Sequence, residues 1–254
     1  MTPWVLLRGL TRESRHWGAF PQTLAGAIGG APVIALDLPG NGSLHALRSP
    51  VRVGAMAQAC RDELLRRRIA PPYRVLAMSL GAMAAVAWAT QHPWELSGGV
   101  LVNTSLRPFS PFHQRLRPGS YASLLRLGLT DPEPASRERM VLRLTSRMAA
   151  APAELLRDWT AWRGQCPVSR TNALRQLLAA ARFAAPHAKP APPLLILAST
   201  QDALVDVRCS RRLAQAWQVP IVEHPSAGHD LPLDDGPWVA EQVRRWIARQ
   251  PRIA

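Results

Sequence analysis

The chain has few cysteines and no long hydrophobic run, the features from which disulfide bonds, metal sites and membrane anchors are built. Its three cysteines, Cys60, Cys166 and Cys209, lack zinc-ligand or C-x-x-C spacing, so neither a disulfide framework nor a metal site is favoured. No stretch approaches the roughly 18 consecutive apolar residues of a membrane span. The first ten residues lack a basic leader, and Arg8 interrupts their apolar run. We therefore expect a cytoplasmic protein with no signal peptide, no membrane span and no metal or other cofactor.

Acidic residues and lysine are also scarce. The chain has 31 Lys+Arg against 17 Asp+Glu, a net charge of +14, and Lys189 is its only lysine. Residues 106–185 hold 13 arginines and 5 acidic residues. A basic surface attracts anionic partners such as nucleic acid, a membrane surface or an acidic carrier protein. Because no nucleic-acid-binding motif is present, we do not expect a nucleic acid partner.

Six short apolar runs dominate what the chain does contain. Such runs are typical of strands buried on both faces of a parallel sheet. Helical patterns separate most of them, and this alternation predicts an α/β fold with a mostly parallel, doubly wound sheet of about six strands. The six runs are PWVLLR (3–8), APVIALD (31–37), YRVLAM (73–78), SGGVLVN (97–103), PPLLILAS (192–199) and VPIVEH (219–224).

The helical patterns differ in character. Met56, Cys60 and Leu64 recur every four residues, as on one face of an amphipathic helix. Small residues fill a predicted helix over 80–91, and another is predicted over about 204–217. The last helix is capped by Asp234 or Asp235. Its inner stripe comprises Trp238, Val239, Gln242, Val243, Trp246 and Ile247.

Residues 106–185 interrupt the alternation of strands and helices. They contain no convincing strand, and the segments RERMVLRLTSRMAA (137–150) and PAELLRDWTAWRG (152–164) have helical patterns. We interpret 106–185 as a helical cap inserted into a core formed by 1–105 and 186–254. The proline-rich stretch 186–193 would lead back into the core.

Three reactive side chains follow predicted strands. Ser79, Asp202 and His229 come after the third, fifth and sixth runs, and the carboxyl ends of parallel strands meet at one edge of the sheet. A serine hydroxyl needs a histidine to accept its proton, and a carboxylate must orient that histidine. The chain order Ser, Asp, His is that of the α/β-hydrolases.

The surroundings of Ser79 fit a sharp turn between a strand and a helix. The motif for such a turn is G-x-S-x-G, and this chain has Ala77 and Gly81 at the glycine positions. Backbone N–H groups of Leu80 and Leu10 are candidates for an oxyanion hole. We expect Gly9 to permit the backbone conformation that presents the Leu10 N–H.

Five stretches in order resemble the α/β-hydrolase superfamily over nearly the full chain. Arg8 replaces the histidine that usually precedes the oxyanion-loop glycine, and we expect no counterpart of the family's two leading strands in this sequence. The serine disfavours the dehalogenase and epoxide-hydrolase branches, which use aspartate. The matching stretches are LLRGLTRESRHWGAF (6–20), LDLPGNG (36–42), AMSLGAM (77–83), STQDALV (199–205) and SAGHDLP (226–232).

The resemblance implies a cofactor-free serine hydrolase that cleaves a small-molecule carboxylic ester through an acyl-enzyme. The size and helical cap are similar to small bacterial carboxylesterases, including methyl ester esterases that act on pimeloyl groups held by a carrier protein. An acidic carrier could dock on the basic cap. A thioesterase or acyltransferase with the same triad, and a non-catalytic binding protein, stay open as alternatives.

Several nearby residues compete for roles at the site. Asp206 is a rival acid, although it falls inside the predicted helix, and His224 is a rival histidine with a structural role expected. For Asp37 we expect stabilisation of a turn rather than catalysis. Helix packing is expected for His16 and Trp17, and a core position for Trp159 and Trp162, which could otherwise line a pocket.

Overall fold

The computed structural model describes residues 1–130, 133–148 and 152–250. A single six-stranded sheet with the order β2-β1-β3-β4-β5-β6 runs through it, and each neighbouring pair of strands is parallel. This confirms the predicted fold class. The strands are β1 (Trp4–Leu7), β2 (Val33–Leu36), β3 (Tyr73–Met78), β4 (Leu96–Val102), β5 (Leu194–Ser199) and β6 (Ile221–His224).

Helices cover both faces of the sheet. In chain order they are α1 (Phe20–Ala27), α2 (Val53–Arg66), α3 (Leu80–Gln91), α4 (Phe112–Arg115), α5 (Tyr121–Leu129), α6 (Pro134–Thr145), α7 (Ala153–Gln165), α8 (Arg170–Arg182), α9 (Val207–Trp217), α10 (Leu231–Asp234) and α11 (Gly236–Ala248). None of them, within the described ranges, has the length and apolarity that a membrane span requires.

Alternate strand residues point to opposite faces of the sheet and build two apolar layers. Val5 and Leu7 belong to the layer shared with α2, α3 and α9. Trp4 and Leu6 belong to the layer shared with α1 and α11. Because the central strands are buried on both faces, their sequences are apolar throughout, which is why the strands were predictable as continuous runs.

Helix boundaries depart from the predictions where side chains cap the ends. The helix predicted from about 204 starts at Val207, because the Asp206 carboxylate accepts the Arg208 N–H and caps it. Asp235, not Asp234, caps α11 through the Trp238 N–H. The helix predicted over 137–150 ends at Thr145, and residues 149 and 150 lie outside the described residues.

Helices α4 to α8 all lie between β4 and β5, in the stretch 112–182. A single bridge between Arg107 and Ala184 joins the two ends of this stretch. We call residues 107–184 the helical insertion. Its contacts with the rest of the chain are concentrated at the loops that follow the carboxyl ends of the strands, as described below.

Candidate active site

Ser79 lies in a strained turn between β3 and α3. Its backbone has φ 52° and ψ −119°, in a region that a residue with a Cβ occupies at a cost of about 1–3 kcal/mol. The residues on either side are buried, whereas Ser79 itself is partly exposed. The turn therefore presents the serine side chain at the carboxyl edge of the sheet.

Two glycines make this turn possible by leaving space. A Cβ at Gly81 would lie 2.5 Å from the Leu7 carbonyl oxygen, and a Cβ at Gly9 would lie 3.1 Å from the Ser79 Cβ. Gly9 does not use the left-handed backbone region, so the expected conformational reason for this glycine was wrong. A side chain at position 9 would instead crowd Ser79, because the loop after β1 approaches the serine closely.

Asp202 and His229 are joined at the ends of β5 and β6. The His229 Nδ1 lies 2.7 Å from the Asp202 Oδ2, and both side chains are buried. The other oxygen of Asp202 accepts the N–H groups of Leu204 and Val205, at 2.7 and 2.9 Å. The carboxylate thus closes a turn and orients the imidazole at once, so that Nδ1 donates and Nε2 is left to accept a proton.

The surroundings of His229 raise its pKa. Burial is the largest influence and disfavours the charged imidazolium, but the Asp202 carboxylate opposes it through its charge and its hydrogen bond. Asp230 also raises the pKa of His229, whereas Arg8 lowers it. The net effect is a pKa above 6.5. A histidine of this kind can hold a proton taken from a neighbouring hydroxyl.

Three consecutive residues at the end of β4 bind both halves of the site. Val102 accepts the Ser79 N–H at 3.0 Å, and the Thr104 hydroxyl donates to the Ser79 carbonyl at 3.2 Å. Between them, the Asn103 Nδ2 donates to the His229 carbonyl at 2.8 Å. The serine turn and the histidine loop are therefore neighbours. Ser79 Oγ makes no hydrogen bond to His229 or to any other described residue.

The proposed oxyanion donors flank the serine. Leu80 begins α3 directly after Ser79, and Leu10 follows Gly9 in the loop that contacts Ser79. Neither backbone N–H donates a hydrogen bond to another described residue. The next N–H, that of Thr11, donates to the Gln176 side chain at 2.9 Å, so α8 fixes the loop while the Leu10 N–H stays available.

Arg8 and Asp230 form a buried ion pair that connects the two loops. The guanidinium donates to both carboxylate oxygens, at 2.9 and 2.5 Å, and neither side chain is more than 3% exposed. The Arg8 Cζ lies 4.8 Å from the centre of the Trp17 ring. Arg8 thus anchors the loop after β1 to the residue that follows His229.

The helical insertion contacts the same edge of the sheet. Arg12, in the loop after β1, donates to Glu138 of α6 at 2.6 Å, and its Cζ lies 4.4 Å from the ring centre of Trp159 of α7. His16 packs against Trp159 and Trp162, and its pKa is held well below 6.5 by burial and by the charge of Arg12. The two tryptophans serve packing between core and insertion.

Two loop contacts bring the insertion still closer to the proposed triad. Thr145 accepts the Asp230 N–H at 2.7 Å, and Arg117 donates to the Asp202 carbonyl at 2.8 Å. The insertion therefore touches the residues beside the histidine and the acid.

The competing residues have other partners. Asp206 caps α9 and pairs with Arg208, whose hydrogen bond lowers the Asp206 pKa to about 2. His224 accepts the Ala227 N–H at Nδ1 and lies 3.2 Å from Asp235 through Nε2. The Asp37 carboxylate accepts the N–H groups of Ser14 and Ser43 and so stabilises its turn.

Sequence reasoning missed Asn103 and Asp230. Asn103 has a positive φ of 45° and bridges the ends of β4 and β5, since its Oδ1 accepts the Ser199 N–H at 2.8 Å. Its position directly after a buried strand was the available signal. For Asp230, the available signal was that this acidic residue directly follows His229 in the sequence.

The described residues contain no group of three or more histidine, cysteine, aspartate or glutamate side chains that could hold a metal ion. Cys60 lies on the buried side of α2, and burial raises the pKa of its thiol to about 12. A thiol in that state is a poor nucleophile.

Comparisons with known proteins identify the family. Residues 4–242 match the model of the alpha/beta hydrolase family, while no curated protein shows a significant sequence match. Similar solved structures include an esterase of Rhodococcus sp. ECU1013, with a TM-score of 0.78, 19% identity and coverage of 98% of this chain and 91% of that one. A thermophilic esterase of Thermogutta terrifontis has a TM-score of 0.72 and 20% identity, over 98% and 90% of the two chains.

An enol-lactonase of Burkholderia xenovorans LB400 has a TM-score of 0.76 and 18% identity, over 98% and 92% of the two chains. At these identities the structural likeness shows the fold alone. The family model, in contrast, covers nearly the whole chain. The protein therefore belongs to the alpha/beta hydrolase family and is a hydrolase.

Proposed function

We propose that the protein cleaves carboxylic esters of small molecules with a Ser79–His229–Asp202 triad. His229 takes the proton of the Ser79 hydroxyl as Ser79 Oγ bonds to the substrate carbonyl carbon. The backbone N–H groups of Leu10 and Leu80 bind the carbonyl oxygen as it becomes negative. Asp202 keeps the imidazole oriented and stabilises its cation.

The reaction completes in two halves. When the tetrahedral intermediate collapses, the ester C–O bond breaks and His229 passes its proton to the departing alcohol, leaving an acyl group on Ser79. His229 then takes a proton from water, whose oxygen attacks the acyl carbon. Collapse of the second intermediate returns the proton to Ser79 Oγ and releases the carboxylic acid.

The observation that carries this proposal is the 2.7 Å contact between His229 Nδ1 and Asp202 Oδ2 at the edge where the strained Ser79 turn lies. A buried carboxylate that orients a histidine near a partly exposed serine is the arrangement that activates a hydroxyl. The two leucine N–H groups beside Ser79, which have no partner among the described residues, supply the donors.

The structural neighbours support an ester as the substrate class, since they include two esterases and an enol-lactonase, and a lactone is a cyclic ester. We further propose that residues 106–185 act as the cap that shapes the acyl pocket. Docking of an acidic carrier protein on its arginines is a further proposal for how an acyl group could be delivered.

Hydrolysis of p-nitrophenyl acyl esters tests the proposal, with the Ser79→Ala variant as the comparison. Loss of the nucleophile is expected to reduce kcat on the order of 10⁴-fold or more. Ser226→Ala, an exposed serine in the histidine loop, is the matched control and should keep full activity. Equal rates in wild type and Ser79→Ala would refute the proposed mechanism.

Two other functions use the same residues differently. A thioesterase or acyltransferase would prefer thioesters, or would transfer the acyl group to an acceptor other than water, so parallel assays with matched esters and thioesters separate it. A non-catalytic binding protein is favoured by one observation, the absence of a hydrogen bond from Ser79 Oγ to His229. A fluorophosphonate probe decides, because it labels Ser79 only when the hydroxyl is activated.

A further inference from the structure

Helix α8 has the opposite polarity from that of an ordinary surface helix. Its buried side chains include Asn172 and Gln176, which are 5% and 0% exposed. Three leucines lie on its outer side, with Leu174 66%, Leu177 43% and Leu178 39% exposed. Their spacing of three and four residues places them on one face of the helix. We call these three residues the leucine face.

Hydrogen bonds prevent this helix from turning its leucines inward. Asn172 accepts the Ser49 N–H at 2.9 Å and donates to the Leu47 carbonyl at 2.9 Å. Gln176 donates to Asn41 Oδ1 at 2.8 Å and to Ser49 Oγ at 3.0 Å, and it accepts the Thr11 N–H. Rotation of the helix would turn both amides to solvent and bury leucines against the groups that the amides now bind. The Thr11 N–H and the Ser49 N–H would then lose their partners, at a substantial free-energy cost.

Few acidic residues lie in the segments that contact α8. Residues 159–201, which include the helix, and residues 38–61 and 96–130, which contact it, contain no aspartate or glutamate. The loop after β1 also contacts α8 and contains Glu13, but this side chain is buried and paired with Arg15. The contacts that join residues 38–61 and 96–130 to α8 include Asn172 to Leu47 and Arg115 to the Ala180 carbonyl. Arg182, which ends the helix, is exposed and forms no ion pair with a described residue.

Two further arginines extend this basic rim. Arg48 adjoins Leu47, whose carbonyl binds Asn172, and Arg107 lies against the end of α8 through the Ala181 carbonyl. Both are exposed and, like Arg182, lack an ion pair within the described residues. Exposed leucines with arginines around them match the pattern of helices that lie in the plane of a membrane interface.

We propose that α8 docks on a lipid surface with anionic headgroups. The leucine face would enter the boundary between headgroups and acyl chains, and Arg48, Arg107 and Arg182 would face the lipid phosphates. A second copy of the chain is a poorer occupant, because pairing two such faces brings arginines against arginines. Since Gln176 holds the Thr11 N–H beside Leu10, a docked α8 lies next to the proposed ester-cleaving site.

The inference does not depend on the proposed catalysis, because binding to lipid is measured without turnover. The experiment is co-sedimentation with vesicles of phosphatidylcholine alone and of phosphatidylcholine with phosphatidylglycerol, at low and high salt. Wild type and Ser79→Ala should both bind the anionic vesicles, and binding should weaken at high salt. Failure of wild type to bind anionic vesicles at low salt overturns the proposal.

Two sets of variants assign the binding to α8. The variant Leu174→Gln/Leu177→Gln/Leu178→Gln should bind anionic vesicles at least tenfold more weakly. Leu65→Gln, on α2 and 76% exposed, should bind as wild type does. Wild-type binding by the triple variant would overturn the proposal, because net charge alone would then explain the association. All these leucines are exposed, and circular dichroism checks that the fold is retained.

A second pair of matched variants tests the arginines of the basic rim. Arg48→Gln/Arg182→Gln should weaken binding several-fold more than Arg66→Gln/Arg249→Gln, which removes the same charge from exposed positions on α2 and after α11. An equal loss of vesicle binding in the two double variants would contradict docking through the leucine face and its basic rim.

Light scattering and a soluble polyanion test the other occupants. A dimer abolished by the triple leucine variant would instead assign the face to self-association. Binding of soluble poly-glutamate without vesicle binding would assign it to an acidic protein. Either result would overturn docking on lipid.

Discussion

Removing one partner of the Arg8–Asp230 pair should destabilise the fold strongly. Both side chains are almost fully buried, so Arg8→Met leaves the buried Asp230 carboxylate without its cationic partner. Breaking a buried pair in this way costs about 3–5 kcal/mol, out of a total free energy of unfolding of about 5–15 kcal/mol. For a chain of 254 residues this corresponds to a fall in Tm of roughly 6–20 °C.

The reverse substitution and the double variant show whether the pair itself is responsible. Asp230→Asn leaves the Arg8 guanidinium buried with its Nε already unpartnered, so a loss of similar size is expected. In Arg8→Met/Asp230→Asn no buried charge is left alone. The double variant should therefore lose about 1–3 kcal/mol less than the sum of the two single losses.

Urea unfolding followed by far-ultraviolet circular dichroism measures these free energies without relying on Trp17, which Arg8 contacts. The slope of the free energy of unfolding against urea concentration must be the same in all variants for the comparison to hold. Arg244→Met, which breaks an exposed pair with Glu241, is the matched control and should leave the midpoint unchanged. Additive losses, or single losses below about 1 kcal/mol, would refute the reasoning.

Two further changes test the turn and the base. Gly81→Ala should cost about 3 kcal/mol or more, because its Cβ would press on two backbone carbonyl groups. Thermal unfolding checks this against Gly164→Ala, which meets nothing within 4 Å, and an unchanged Tm would contradict it. The acid limb of kcat/KM should have an apparent pKa above 6.5, because His229 must be neutral to act as base. Asp202→Asn should move that limb to lower pH, and an unmoved limb would exclude His229.

The positions of Ser79, Asp202 and His229 were predictable because each comes after an apolar run that the alternating pattern of the chain predicts as a strand. In a parallel sheet such positions converge on one edge whatever the details of the loops. The 2.7 Å contact between Asp202 and His229 is the structural counterpart of that inference. The end of such a strand is marked by the end of a continuous run of apolar residues, and this run is visible in a single sequence.

Helix α8 shows where the sequence was insufficient. An amphipathic interpretation would bury Leu174 and Leu177 and expose Gln176, whereas the structure does the opposite. The deciding interactions are hydrogen bonds to Asn41 and Ser49, which are more than 120 residues away in the sequence. Periodicity shows which residues share a face of a helix. It does not show which face will be buried when distant residues supply hydrogen bonds to polar side chains.

The Arg8–Asp230 pair was invisible in the sequence for the same reason, as its members are 222 positions apart. The pair affects the pKa of His229 through both of its charges. Asp230 alone would raise the pKa of His229 further and so favour the protonated imidazole, which cannot accept a proton from Ser79. Arg8 lowers the same pKa. Arg8 and Asp230 therefore act on the pKa of His229 in opposite directions, and the loss of either charge alone would shift that pKa.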